Sequence, residues 1–198
     1  MYSQNKEEQY ILDFFKNKQG KFLDIGAYDG IKFSNTYALV EKQWNGVLIE
    51  PSPITFCNLI KNLAGKQNLR FCNSAISIKS ELREFYDAKG DAISTFDKLH
   101  KEKWEKNAKV NYIEFYIKTM TIQEIFDKFG YDFDFINLDV EGINYELFLE
   151  MFNHISKLNN LKLICVEHDN KINEIISVSS TRGFKEIHRN GENLILGR

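Results

Sequence analysis

Acidic side chains recur in this chain where short apolar runs break off. Asp139 and Glu141 follow Phe135-Ile136-Asn137-Leu138 and stand two residues apart, so on an extended backbone they share a face, and Gly142 lets the chain turn away behind them. Glu167 and His168 follow the run Leu161 to Val166 in the same way. The four side chains Asp139, Glu141, Glu167 and His168 have the chemistry to orient a substrate hydroxyl and remove its proton. They equally suit a divalent cation, Mg2+ or Mn2+, that does so, and the residue types leave the metal undecided. His168 has the free pKa nearest the range in which a general base works. The competing reading, a set of solvated strand-end charges, is disfavoured because two further acids fall at equivalent edges.

Those two acids are Asp24 and Glu50. Asp24 opens Asp24-Ile25-Gly26-Ala27-Tyr28-Asp29-Gly30 at the edge where open α/β sheets bind ligands. Glycines there let the backbone approach a ligand closely, although the segment taken alone fits a tight strand-to-helix turn equally well. Glu50 shifts the balance. It ends Val47-Leu48-Ile49, 20 residues beyond Gly30, the place from which an acid takes both ribose hydroxyls in nucleotide-binding α/β folds. Pro51 and Pro53, the 2 prolines of the chain, are expected to stiffen the loop that presents it. The glycines run G-x-x-x-G rather than the G-x-G-x-x-G that shapes a turn around pyrophosphate, so S-adenosylmethionine is favoured over NAD. A nicotinamide-dependent oxidoreductase and a non-catalytic nucleoside-binding protein of the same fold are the alternatives.

Positioning these residues requires strands that alternate with helices. Tyr10, Ile11, Phe14 and Phe15 have helical spacing within Lys6 to Lys18. Strands are expected over Lys21 to Ile25, Val47 to Ile49, Leu69 to Ala75, Phe133 to Leu138 and Leu161 to Val166, with helices over Thr36 to Lys42, Ile54 to Leu63, Tyr145 to Ile155 and Ile172 to Ser180. Thr121-Ile122-Gln123-Glu124 has the form of a capping box opening a helix to Phe129. Glu81 to Tyr86 and Asn111 to Thr119 alternate like strands. Between them Asp87 to Val110 is highly charged with a few apolar residues, a candidate lid or substrate segment. Phe184 to Arg189 and Glu192 to Gly197 flank Asn190-Gly191, which suits a type I′ hairpin. The pattern predicts an α/β fold: a Rossmann-like, seven-stranded, mostly parallel sheet with helices on both faces and a C-terminal antiparallel hairpin.

Composition narrows the classes. Lys and Arg total 26 against 28 Asp and Glu, a net charge of −2, which argues against a dedicated nucleic-acid binder. A chain of 198 residues should bury roughly 70% of its unfolded surface, enough for one core, so residues 1–198 are expected to be a single domain. Mean hydropathy is −0.39 and no apolar run approaches a membrane span, so a cytoplasmic protein without membrane insertion is expected. Cys57, Cys72 and Cys165 lie beside apolar neighbours and read as buried, reduced thiols. His100, His154 and His188 read as surface residues.

The sequence resembles the FkbM-type methyltransferases, S-adenosylmethionine-dependent enzymes with a Rossmann-like fold that mostly methylate oxygen on sugars and other small hydroxylated metabolites. The resemblance rests on Phe22 to Gly30, Ser34-Asn35-Thr36, Trp44 to Pro53, Lys118 to Ile122, Asp134 to Gly142 and Val166-Glu167-His168. It implies that Asp24, Gly26, Ala27, Tyr28, Asp29 and Gly30 surround the methionine end of the cofactor and that Asn35 and Thr36 hold its carboxylate. Glu50, followed by Pro51, would hold the ribose, and Ser74 and Ala75 would flank adenine. It further implies an acceptor side formed by Asp139, Glu141, Glu167 and His168, without saying which is the base. The expected partner is a small-molecule or glycan acceptor, chosen by Asp87 to Val110 and the loops near Gly142 and His168; the oligomeric state is not legible.

Overall fold

A computed structural model describes residues 1–198. In chain order the elements are α1 (Glu7–Phe15), β1 (Lys21–Ile25), α2 (Tyr37–Glu41), β2 (Asn45–Ile49), α3 (Pro53–Asn62), β3 (Leu69–Cys72), β4 (Ala75–Ile76), β5 (Leu82–Asp87), α4 (Lys98–Ala108), β6 (Ile113–Met120), α5 (Ile122–Phe129), β7 (Phe135–Leu138), α6 (Asn144–Asn153), β8 (Leu163–Glu167), α7 (Ile172–Ser180), β9 (Lys185–Arg189) and β10 (Asn193–Gly197). Seven strands form the main sheet in the order β3-β2-β1-β7-β8-β10-β9. All its pairings are parallel except those of β10, which runs antiparallel to both β8 and β9. The chain winds outward from β1 in one direction and from β7 in the other, and a crevice opens beyond the carboxyl ends of that adjacent pair.

Each central strand is apolar on both faces, as a sheet covered on both sides requires. Leu23, Ile25, Val47, Ile49, Ile136, Leu138, Ile164 and Val166 pack with residues of α5, α6 and α7. The alternate residues Phe22, Leu48, Phe135, Leu163 and Cys165 join Ile11 and Phe15 of α1, Leu39 and Val40 of α2 and Leu59 of α3 in a second core. Trp44 anchors that second core, edge-on to Phe15 and donating its indole N–H to the Lys18 carbonyl. The capping box forms as the sequence implies: Thr121 Oγ1 accepts from the Glu124 N–H at 3.2 Å, and the Glu124 carboxylate accepts from the Thr121 N–H at 2.8 Å.

Three local expectations are corrected. The run Leu69 to Ala75 is two strands, because Asn73 donates to the carbonyls of Glu50 and Pro51 and carries the chain off the sheet edge. The second piece, β4, pairs in parallel with β6, and β5 pairs antiparallel with β6, so these strands build a separate three-stranded sheet. The β9–β10 turn is not type I′: neither Asn190 nor Gly191 has positive φ, and the Asn190 side-chain oxygen instead accepts from the N–H groups of Glu192 and Asn193. Pro53 lies inside α3 as its first residue, behind the N-cap Ser52, rather than in the preceding loop. Asp87 to Val110 is a pinned loop followed by a helix. Tyr86 and Thr95 exchange backbone hydrogen bonds, and the Tyr112 hydroxyl donates to the Ile93 carbonyl. No helix is long and apolar enough to cross a membrane.

Candidate active site

The crevice beyond β1 and β7 is a cavity of about 420 Å³. Its floor begins with Gly26, whose positive φ of +89° is unfavourable for a side-chain-bearing residue. A Cβ at that position would collide with the Asp139 carbonyl oxygen, so glycine is what allows the loop after β1 to lie against the loop after β7. Gly30, at φ +77°, packs against Leu59 and Leu63 and bends the chain back toward α2, without reaching the cavity.

Glu50 is 7% exposed at the end of β2. The Tyr28 N–H donates to its Oε2 at 3.1 Å and the Ser52 N–H to its Oε1 at 2.9 Å, which aims the carboxylate into the cavity wall. Burial pushes this carboxyl up to about 8, with the Asp87 and Asp24 charges adding to it, while the two backbone donors pull the other way. In the ligand-free protein at neutral pH the group is therefore mostly protonated, and donors such as those of a ribose diol favour its ionised form.

Asp24 is held inside a buried polar row. Its register neighbour on β7 is Asn137, whose own neighbour on β8 is Cys165. Asn137 donates to Asp24 Oδ1 at 2.9 Å, Thr36 Oγ1 donates to Oδ2 at 2.6 Å, and Asn35 donates to the Asn137 side-chain oxygen at 3.1 Å. The row continues through Cys165 to Asn193, which donates to Glu7 of α1 at 2.9 Å. Thr36 is therefore fully buried beneath the cavity, spent on Asp24, whereas Asn35 reaches the lining. Asp29 does not line it either; its carboxylate accepts from the N–H groups of Ile31 and Lys32 and shapes the loop. Ala27, Tyr28, Pro51, Ser74 and Ala75 do line it.

On the opposite side, Asp139, Glu141 and Glu167 all face the cavity. The strand ends at Leu138, so Asp139 and Glu141 do not share a face of an extended chain; a turn brings them together. Asn144, the first residue of α6, builds that turn. Its side chain accepts from the Val140 N–H at 2.8 Å and donates to the Val140 carbonyl and to Glu167 Oε2, each at 2.6 Å. Burial, then the neighbouring Glu167 charge, holds Asp139 well above the usual carboxylate range. Burial followed by the adjacent acids raises Glu141 and Glu167 to about 7 each.

His168 is not brought into this group. It is 5% exposed, its Nδ1 accepts from the Asn170 N–H at 3.2 Å, and its Nε2, 3.3 Å from the Asn190 carbonyl, ties the loop after β8 to the β9–β10 turn. The histidine nearest these acids is instead His100 of α4, expected at the surface: it does not line the cavity, but its Nε2 lies 3.7 Å from Glu141 Oε2. Of the other two, His188 stacks on Tyr10 at 3.7 Å and His154 meets Phe126 edge-on. The cavity further takes in Asn137 of the Asp134 to Gly142 segment, together with Lys32, Phe33, Trp104, Glu192 and the loop from Asp91 to Phe96, which lie outside any motif. No three His, Cys, Asp or Glu side chains converge as metal ligands, so Mg2+ or Mn2+ has no matching donor set here.

This strand order, with its antiparallel seventh strand and an acid-lined crevice at the switch point, defines a Rossmann-like methyltransferase fold. Residues 24–186 match the methyltransferase FkbM domain, and the chain belongs to that family of S-adenosylmethionine-dependent methyltransferases. Its structure matches 92 solved chains. Among them, WbdD superposes with a TM-score of 0.55 at 11% identity over 97% of this chain and 39% of its own. Sp1610 of Streptococcus pneumoniae, in complex with S-adenosyl-L-methionine, gives 0.50 at 13% over 100% and 73%. The Escherichia coli protein yhhF gives 0.51 at 15% over 98% and 86%. The chain thus spans well under half the length of WbdD, and at such identities the likeness is one of fold. No curated protein matches the sequence.

Proposed function

We propose that this methyltransferase acts on oxygen, methylating a hydroxyl of a saccharide or another small hydroxylated metabolite in the cytoplasm. The observation that carries the reading is the facing of two acid sets across one cavity: Glu50 at one end, and Asp139, Glu141 and Glu167 at the other. The residues suit S-adenosylmethionine, which when bound supplies an electrophilic methyl on a sulfonium centre. Glu50 takes the ribose hydroxyls; Gly26 and Ala27 let the backbone close on the methionine end; Asp24 accepts from its ammonium; Ser74 and Ala75 border the adenine. Of the Asn35-Thr36 pair only Asn35 borders the cavity toward the carboxylate, since Thr36 serves Asp24 beneath it, and the Asn35 amide itself already donates to Asn137.

At the other end, a carboxylate with a pKa of about 7 is half ionised at neutral pH and accepts a hydroxyl proton with little driving-force penalty. Glu141 and Glu167 are therefore the candidate bases, with Asp139 between them and the cofactor loop and with His168 holding the loop that follows Glu167. Positioning supplies most of the acceleration in such a reaction. Seven acids (Asp24, Glu50, Asp91, Asp139, Glu141, Glu167, Glu192) share the cavity wall with one cation, Lys32; although several are held partly protonated, the wall offers a polyanion such as nucleic acid no positive patch. The test is incubation with labelled S-adenosylmethionine and a panel of saccharides, amines and nucleic acids. Label in an ether-linked methyl on a saccharide is expected; transfer only to nitrogen or to nucleic acid would overturn the reading.

A further inference from the structure

We propose that α4 is the acceptor-reading element of the cavity, with His100, Trp104 and Glu141 forming a subsite for a compound bearing neighbouring hydroxyls. The inference deepens the reading above and rests on it for the identity of the cavity.

Nothing in the core explains α4. None of its residues is buried, and Leu99 is 75% exposed. What holds it is polar: Asp97 caps its start, and Lys101 bonds Glu114 of β6 at 3.1 Å. Yet His100 and Trp104, four residues apart and so on one helix face, turn inward, with ring centroids 6.1 Å apart. Trp104 lines the cavity; His100 does not, but it abuts Glu141, which does. The His100 Nε2 and Trp104 Nε1 atoms are both buried with no hydrogen-bond partner, which in a folded protein is costly enough to need a reason.

Geometry supplies the reason. The 3.7 Å between His100 Nε2 and Glu141 Oε2 is too long for a hydrogen bond. Neither nitrogen is open to water in this structure, so a hydroxyl enters as α4, which buries no residue in the core, shifts outward; its oxygen would then lie about 2.8 Å from each atom, accepting from His100 and donating to Glu141. Burial keeps the His100 ring below its ordinary 6.5, hence neutral at pH 7, so it can present an N–H without adding charge. Trp104, whose indole N–H can only donate, then takes a second oxygen. Two donors beside one carboxylate match the alternating donor and acceptor character of adjacent hydroxyls.

The chain has 2 tryptophans, so proton–nitrogen correlation spectra carry two indole signals, and Trp44, bonded to Lys18, serves as the internal control. The probes are glycerol and the methyl glycosides of glucose, mannose and rhamnose, each titrated to about 100 mM to reach affinities weaker than millimolar. At least one glycoside should shift the Trp104 signal saturably and leave Trp44 in place. His100→Ala should weaken that glycoside about tenfold, the loss of one or two hydrogen bonds. His100→Gln, which keeps an N–H, should recover part of it, with S-adenosylmethionine affinity by calorimetry unchanged in both variants. A Trp104 signal unmoved by every probe overturns the inference. So does a His100→Ala variant that loses cofactor affinity in step with glycoside affinity, which would assign α4 to the cofactor. Because the titration needs no turnover, failure of the methyl-transfer reading would show separately, as absence of label on any saccharide.

Discussion

Asn144 Nδ2 donates to Glu167 Oε2 across 2.6 Å, and the same amide is bonded to both backbone groups of Val140. One buried side chain thereby sets the distance between the acids after β7 and the acid that ends β8. Asn144→Ala should cost about 1–3 kcal/mol of stability, since it leaves buried groups unpaired. It should also lower turnover about 10- to 100-fold through misplacement of Glu141 and Glu167. Calorimetric S-adenosylmethionine affinity should stay near wild type; equal loss of binding and turnover would contradict the positioning role.

Glu50→Gln keeps the size of the side chain and removes the carboxylate that the donors of a ribose diol stabilise. Cofactor affinity should fall about 10- to 100-fold, the worth of hydrogen bonds to a charged group. Isothermal titration reads this directly, and unchanged affinity would remove Glu50 from the ribose site.

Gly26→Ala places a methyl group where the Asp139 carbonyl lies, at a φ of +89°. Strain of roughly 1–3 kcal/mol should lower the melting temperature, and the loop should fail to close on the cofactor, with affinity down at least about tenfold. A melting curve and a binding isotherm on the same sample check both.

Two pH effects follow from the raised carboxyls. Turnover should rise as pH passes through about 7 and level off above it, as a base of that pKa ionises. Stability should move the other way. The folded protein binds these protons more tightly than the unfolded chain, in which the same groups titrate near 4.5, so their contribution is full below about 4.5 and is lost as pH rises toward 7 and, for Glu50, 8. Melting temperatures of the ligand-free protein from pH 5 to pH 8.5, repeated with Glu50→Gln, should show a decline that the variant flattens.

The three thiols should react in sequence, because Cys57 is exposed, Cys72 half-buried and Cys165 buried in the core. Burial raises the Cys72 and Cys165 thiols, which leaves less thiolate to attack. A chromogenic disulfide reagent should find one fast thiol in the native protein and three after denaturation. This corrects the expectation of three buried thiols: Phe56 lies beside Cys57 in sequence, but on a helix adjacent residues point in different directions.

Much of the architecture is legible in the chain because a covered parallel sheet demands apolar strands separated by helices, and the runs at Phe22, Val47, Phe135 and Ile164 have no other use. The capping box at Thr121 and the strand-end acids are local signals of the same kind. The second sheet was hidden, since alternation at Leu82 and Ile113 marks a strand without saying which partner it takes. His168 and His100 exchanged places for a related reason: the motif puts His168 beside Glu167, but its ring is consumed by Asn170 and Asn190, while His100 arrives from a helix 41 residues before Glu141.

By itself the sequence determined the sheet, the glycine loop, Glu50 and the acids after β7 and β8, all features whose meaning is carried by residues a few positions apart. Only the tertiary structure decided which of those residues face the cavity, that Thr36 is spent beneath it on Asp24, that Asn137 binds Asp24 from the cavity lining, that Asn144 sets the acids, and that His100 of α4 abuts Glu141. Hydrogen-bond partners and burial depend on chain segments brought together from far apart, and no local pattern encodes which donor will meet which acceptor.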